Sequence, residues 1–298
     1  MIIEEISGFL GQAEVPEGVN LKFTAADIIF YIFCFSGTVI LAWWFLRTSM
    51  GRRSLDSSPP RRNNMPLYLP FVPLAFWLGV ILTGKGLFGS SLDILPEHKQ
   101  VLITYLLYGG SMLVAMLVTL LLARETFVRR LKGFGLDLKT AAGDFGNAVV
   151  YLIAIFPVIM LIMLMVNQIG RFFMGEDFQM QQHEGLEIFR QYGQWSVRIV
   201  LLAVTVLIGP ILEELLFRGL FQTMLRGVLG QPWRAIGLAS VLFVLMHHDW
   251  MHFPALFILS VCMGYAYEKS GSLLRPIFIH CMFNGINVTI TLLGNMCQ

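Results

Sequence analysis

Charge is scarce in this sequence. Of its 298 residues only 13% are Asp, Glu, Lys or Arg, while 56% are hydrophobic. Mean hydropathy is +0.70. A water-soluble domain carries about 25% charged residues, and a surface this poor in charge cannot be kept in water. The shortage excludes a soluble globular protein and predicts an integral membrane protein. The net charge of +2 is too small to point to nucleic acid. The basic residues fall instead in loops, where they set orientation in a bilayer.

Other absences narrow the field further. The four cysteines (Cys34, Cys262, Cys281 and Cys297) show no C-x-x-C spacing, and three lie in apolar segments. They read as small hydrophobes rather than as a disulfide or a thiolate metal site. The opening stretch MIIEEISGFLGQAEVPEGVNLKF is acidic and lacks the basic region and apolar core of a cleavable signal peptide. There is no H-E-x-x-H, so the usual zinc-protease helix is missing. No internal repeat or low-complexity tract is visible, and with it no inverted symmetry of the kind many transporters carry.

Apolar runs are what the chain has in abundance. A helix crossing a bilayer needs about 20 apolar residues. Eight candidates occur, at about 25–46, 66–83, 101–123, 146–167, 195–216, 233–248, 253–267 and 275–294. The predicted fold class is all-α, a polytopic bundle of about eight transmembrane helices. The last four runs are shorter, or interrupted by Gly209-Pro210, Pro254 and Pro276. Interrupted helices at membrane depth are tolerated mainly where they are buried in protein or line a cavity. The organisation expected is therefore an N-terminal region, 1–144, with three spans, followed by a working membrane core, 145–298. The stretch FGLDLKTAAGDFG (134–146) reads as a short surface segment leading into that core.

Loop charges orient the bundle. The first connection holds Arg47, Arg52, Arg53, Arg61 and Arg62 against Asp56, and the third holds Arg124, Arg129, Arg130, Lys132 and Lys139. Arg226 and Arg234 lie in the fifth connection, and Lys269 near Arg275 in the seventh. Placing these odd loops inside satisfies the positive-inside rule and puts both termini outside, as expected for a multi-pass protein of a bacterial cytoplasmic membrane. Trp43, Trp44 and Trp250 read as interfacial anchors, as do the polar residues His248 and His252 beside Asp249. Gly109-Gly110 and Gly264 read as points of close helix packing.

Ionisable residues within spans are costly and mark function. In the first three spans only Asp27 occurs, near an end, whereas the second half holds Glu213, Glu214, Arg218, His247, His248 and His280, with Asn284 one turn after His280. Residues four apart share a helix face, and adjacent residues diverge by about 100°. Glu214 and Arg218 form a local ion pair in the favourable order, acid first. Glu213 points elsewhere and is free to meet another helix. Phe243 shares a face with His247. Gly230 lies 17 residues from both Glu213 and His247, so an antiparallel hairpin places this Glu and His at one depth.

One Glu, two His and one Asn in a wet pocket suggest hydrolysis. Glu213 and His247 can hold and deprotonate a water, while His280 and Asn284 donate to the oxyanion formed when it attacks an amide. The same Glu213, His247 and His280 alternatively supply three ligands to a divalent, zinc-like ion, with water as the fourth.

EELLFR (213–218), FVLMH (243–247) and HCMFN (280–284) resemble the three motifs EExxxR, FxxxH and HxxxN of the CAAX protease and bacteriocin-processing family, also called CPBP or Abi. That family includes the type II CAAX prenyl endopeptidase. The likeness covers roughly 195–294, with GSLLRP leading into the third motif. It implies Glu213 and His247 as the water-activating pair, His280 and Asn284 as oxyanion donors, and Glu214, Arg218 and Phe243 as supports. It implies an intramembrane endopeptidase acting on a membrane-associated peptide or protein, a prenylated CAAX-type substrate among the candidates. Both metal-dependent and metal-free glutamate mechanisms belong to this reading. Two other readings from different classes are a proton-coupled transporter, since membrane carboxylates and histidines relay protons, and a non-catalytic scaffold or immunity protein.

Overall fold

A computed structural model describes residues 25–92, 94–178, 184–247 and 249–296. The readings made above for the N-terminal tail, His248 and Cys297 lie outside these described residues. Among them the chain is helical, its one β-type contact being an isolated bridge between Asn63 and Phe127.

Eight helices occupy the eight apolar runs. They are α1 (Ala25–Arg47), α2 (Phe71–Leu92), α3 (Glu97–Thr126), α5 (Ala141–Met174), α7 (Trp195–Leu229), α8 (Pro232–Leu245), α9 (Phe253–Ser270) and α10 (Leu274–Met296). Two short helices, α4 (Arg130–Phe134) and α6 (Glu184–Gln191), join them. Five are long and apolar enough to cross a membrane: α1, α3, α5, α7 and α9. The apolar parts of α2 and α8, Phe71–Gly84 and Pro232–Leu245, are shorter. The protein is thus an all-α integral membrane bundle.

Around the central α5 pack α1, α9 and α10, while α3 and α10 flank α7. Buried Leu212, Leu216, Leu220, Phe243, Met263 and Tyr267 form the middle of the core, each with almost no exposed surface. Of the expected small-residue contacts, those of Gly109 and Gly264 are present, while a Cβ at Gly110 would meet open space. A Cβ at Gly109 would come within 2.9 Å of Val204, and one at Gly264 within 2.8 Å of Gln222. The cysteines Cys34, Cys262 and Cys281 are free thiols of intermediate burial.

The prolines do not interrupt the second half as the sequence suggested. Pro254 and Pro276 sit in the first turns of α9 and α10, where a missing N–H costs nothing because first-turn donors have no helical acceptor. Pro210 lies inside α7, which runs through it unbroken. Two π-helical stretches, Ala203–Ile208 and Leu215–Gln222, widen the helix on either side. Such insertions recur at functional sites. The α7–α8 hairpin expected around Gly230 does form: this glycine takes φ +68° and its N–H caps Arg226.

The basic connections gather at one end of the bundle. Arg61 donates to the carbonyls of Gly271 and Tyr267 at 2.9 and 3.1 Å. Lys269 reaches the Ser54 carbonyl at 2.6 Å, and Arg226 the Ser58 carbonyl at 3.3 Å. The first connection is therefore a strap across the ends of α7 and α9. Residues 134–146 are less superficial than expected. Phe134 is fully buried against Gly219, the Gly135 carbonyl accepts from Leu273 N–H at 2.8 Å, and Asp144 is buried against Arg275 at 2.9 Å. Trp44 is likewise no free anchor: its indole N–H donates to the Tyr265 hydroxyl at 2.9 Å. Trp43 and Trp250 stay exposed.

Candidate active site

The charge cluster of α7 is built from the inside outward. Arg218 Nη1 donates to Glu214 Oε1 at 2.7 Å, and both side chains are buried, at 1% and 0% exposure. Arg218 Nη2 donates to Ser260 Oγ at 2.7 Å and to the Ser260 carbonyl at 3.2 Å. The guanidinium stands 4.6 Å from the centre of the Phe243 ring, whose edge-on neighbour at 5.8 Å is His280. An ion pair this deep survives only when its remaining donors are also satisfied, and Ser260 supplies that closure.

Glu214 does more than neutralise Arg218. Its Oε1 also receives His280 Nδ1 at 2.8 Å. A carboxylate accepts only, so Nδ1 carries the proton and the lone pair of the neutral ring lies on Nε2. Nε2 faces Glu213 Oε2 at 3.8 Å, an ion-pair distance too long for a hydrogen bond. Glu213 Oε2 is buried without a hydrogen-bond partner. The two adjacent acids therefore face the two nitrogens of one ring, and only Glu214 is hydrogen-bonded to it.

His247 is held differently from expectation. Helix α8 ends at Leu245, and its last turn tightens, with Met246 N–H donating to the Phe243 carbonyl and His247 N–H to that of Val244. His247 Nδ1 lies 2.9 Å from the Phe243 carbonyl, with its ring 4.7 Å from that of Phe243. A carbonyl also only accepts, so the free lone pair of neutral His247 is again on Nε2. No hydrogen bond or ion pair joins Glu213 to His247; the partner facing Glu213 is His280. The count of residues assumed regular α-helix, whereas α7 carries π turns and the end of α8 is tightened. Asn284 Nδ2 donates to the Thr205 carbonyl at 2.9 Å, which leaves its second N–H and its Oδ1 available. Beyond the helix end, His252 pairs with Asp249 at 2.6 Å.

Among the described residues no group of three or more His, Cys, Asp or Glu is placed to hold a metal ion. Ser260 and the Thr205 carbonyl are the participants that sequence reasoning missed. Each is a single polar group in an apolar run with no spacing rule to mark it.

Fold and site together define a class: an integral membrane helix bundle carrying a buried Arg–Glu–His–Glu chain in its core. Comparison with known proteins makes that narrower. Residues 194–286 match the family described as type II CAAX prenyl endopeptidase Rce1-like. Over 93 residues the chain is 34% identical to the membrane-embedded CAAX protease MroQ of Staphylococcus aureus (strain USA300). That stretch covers 30% of this chain and 38% of the relative. The resemblance to the CPBP family read from the three motifs thus holds over this region. No solved structure matches the chain.

Proposed function

We propose that this protein is an intramembrane endopeptidase that hydrolyses a peptide bond of a membrane-associated substrate by a glutamate-activated water. One observation carries the reading. His280 lies between an acid locked to Arg218 and an acid, Glu213, with an oxygen that has no hydrogen-bond partner. A buried carboxylate oxygen left unsatisfied is costly, and the Glu213 side chain keeps 21% exposure, so a water bound on its open side is the partner this reading assigns to it.

In the proposed reaction the water gives one proton to Glu213 and its other hydrogen is oriented by His247 Nε2. Its oxygen attacks the peptide carbonyl carbon, and the carbonyl electron pair moves onto oxygen. This step uses the doubly protonated His280 ring, whose Nδ1–H stays on Glu214 while Nε2–H, with the second N–H of Asn284, donates to that oxyanion. The C–N bond then breaks, and the proton on Glu213 passes to the departing amine. Glu214 and Arg218 keep the His280 ring in the orientation and protonation pattern this requires, as a buried acid does for a catalytic histidine elsewhere.

A prenylated CAAX tail is the substrate suggested by the names of the family and the relative. A bacterial cytoplasmic membrane, with the basic strap inside and both termini outside, is the setting we infer from loop charge. The test uses proteoliposomes and an internally quenched farnesylated peptide ending in a CAAX sequence, alongside proteomics of membranes with and without Glu213→Gln. Loss of cleavage by about 100-fold or more in the purified variant supports the reading. Equal rates in wild type and Glu213→Gln overturn it.

A further inference from the structure

Pro210 is three residues before Glu213, and none of the contacts described so far uses it. In an α-helix the Thr205 carbonyl would accept the N–H of residue 209. Here that N–H reaches back five residues to Val204 instead. The next residue able to continue this wider pattern onto Thr205 is residue 210, and it is proline, which has no N–H. Both backbone donors that would claim the Thr205 carbonyl are thus withdrawn, one by the π turn and one by the ring. The carbonyl is satisfied by the Asn284 side chain, whose Nδ2 donates to it at 2.9 Å from a helix 79 residues away in sequence.

We infer that Pro210 is a positioning residue for Asn284: by withholding an N–H at this point of α7, it reserves the Thr205 carbonyl for the Asn284 amide. The reservation does two things. It fixes the rotation of the amide, because only the nitrogen end can meet a carbonyl, and so fixes where the second N–H and Oδ1 point. It also ties α10 to α7 beside Glu213, so that both halves of the site share one hydrogen bond. A proline in the middle of a helix is otherwise strongly disfavoured. The catalytic consequence rests on the endopeptidase reading; the structural consequence does not.

The experiment compares wild type, Pro210→Ala, Asn284→Ala and the double variant. Alanine is a good helix former and restores the N–H, so folding is retained. Experimental structures of wild type and Pro210→Ala provide the readout that needs no activity. The expected result is that residue 210 donates to Thr205 and the Asn284 amide withdraws beyond hydrogen-bond reach. An Asn284 amide still bonded to Thr205 in Pro210→Ala overturns the inference. Cleavage of the farnesylated peptide gives the second readout. Pro210→Ala is expected to lower kcat about 10-fold with KM unchanged, and to cause no further loss in the Asn284→Ala background, as for two residues acting through one contact. Additive losses overturn the link between Pro210 and Asn284. A wild-type protein inert toward peptides sinks the hydrolase reading alone, since the structures still decide what Pro210 does.

Discussion

His280 joins two glutamates that are adjacent in the chain, with Nδ1 2.8 Å from Glu214 Oε1 and Nε2 3.8 Å from Glu213 Oε2. The pair has been split into two jobs by one ring. Glu214 lies behind the histidine with Arg218, and Glu213 lies in front of it.

The split predicts opposite phenotypes for neighbouring positions. Glu213→Gln should leave the thermal midpoint close to wild type and abolish cleavage. Glu214→Ala should leave buried Arg218 without its partner, which costs about 3–5 kcal/mol. Its midpoint should fall steeply, and cleavage with it. Thermal unfolding in detergent by intrinsic fluorescence reads the difference, and equal midpoints for the two variants would contradict the assignment.

Ser260 closes the Arg218 donor set from α9. Ser260→Ala should strand a buried guanidinium N–H at a cost of about 1–3 kcal/mol. The carbonyl of residue 260 remains as a poorer partner, so the loss should fall short of that for Glu214→Ala. A variant as stable as wild type would mean that the hydroxyl contributes nothing.

Cleavage should persist in the presence of a zinc chelator such as 1,10-phenanthroline, and the purified protein should carry metal well below one equivalent. The ground is the donor geometry: no three ligands converge among the described residues. Loss of activity on chelation, restored by zinc, would show that Glu213, His247 and His280 close around an ion after all.

The strap should be separable from the chemistry. The Arg61 guanidinium lies 3.8 Å from the centre of the Tyr267 ring and caps the carbonyls that end α9, a favourable place for a cation. Arg61→Ala should destabilise by about 1 kcal/mol and speed proteolysis within 48–64. The Arg218–Glu214–His280 chain should be undisturbed. Unchanged proteolysis would argue that Lys269 and Arg226 hold the strap without it.

Much of this protein was legible without coordinates. Apolar runs separated by basic loops specify a helical membrane bundle, because a backbone in lipid must bond within itself. The i,i+4 rule gave the Glu214–Arg218 pair, and the glycine at 230 gave the hairpin. What failed were the inferences that assumed uniform helix. Gly209-Pro210 looked like a break and is instead flanked by two π stretches. Glu213 was matched to His247 by counting residues, and the structure adds His280 as the ring nearest its carboxylate.

The sequence by itself determined the class, the segment that holds the candidate site and the residue types available there, because hydropathy and helical spacing act over a few turns and need no partner. Only the tertiary structure decided which nitrogen meets which carboxylate, that Ser260 completes Arg218, and that Asn284 reaches Thr205. Those contacts join residues 42 to 79 positions apart. A hydrogen bond is made or lost within less than an ångström, so they depend on the exact rotation at which α7, α9 and α10 pack.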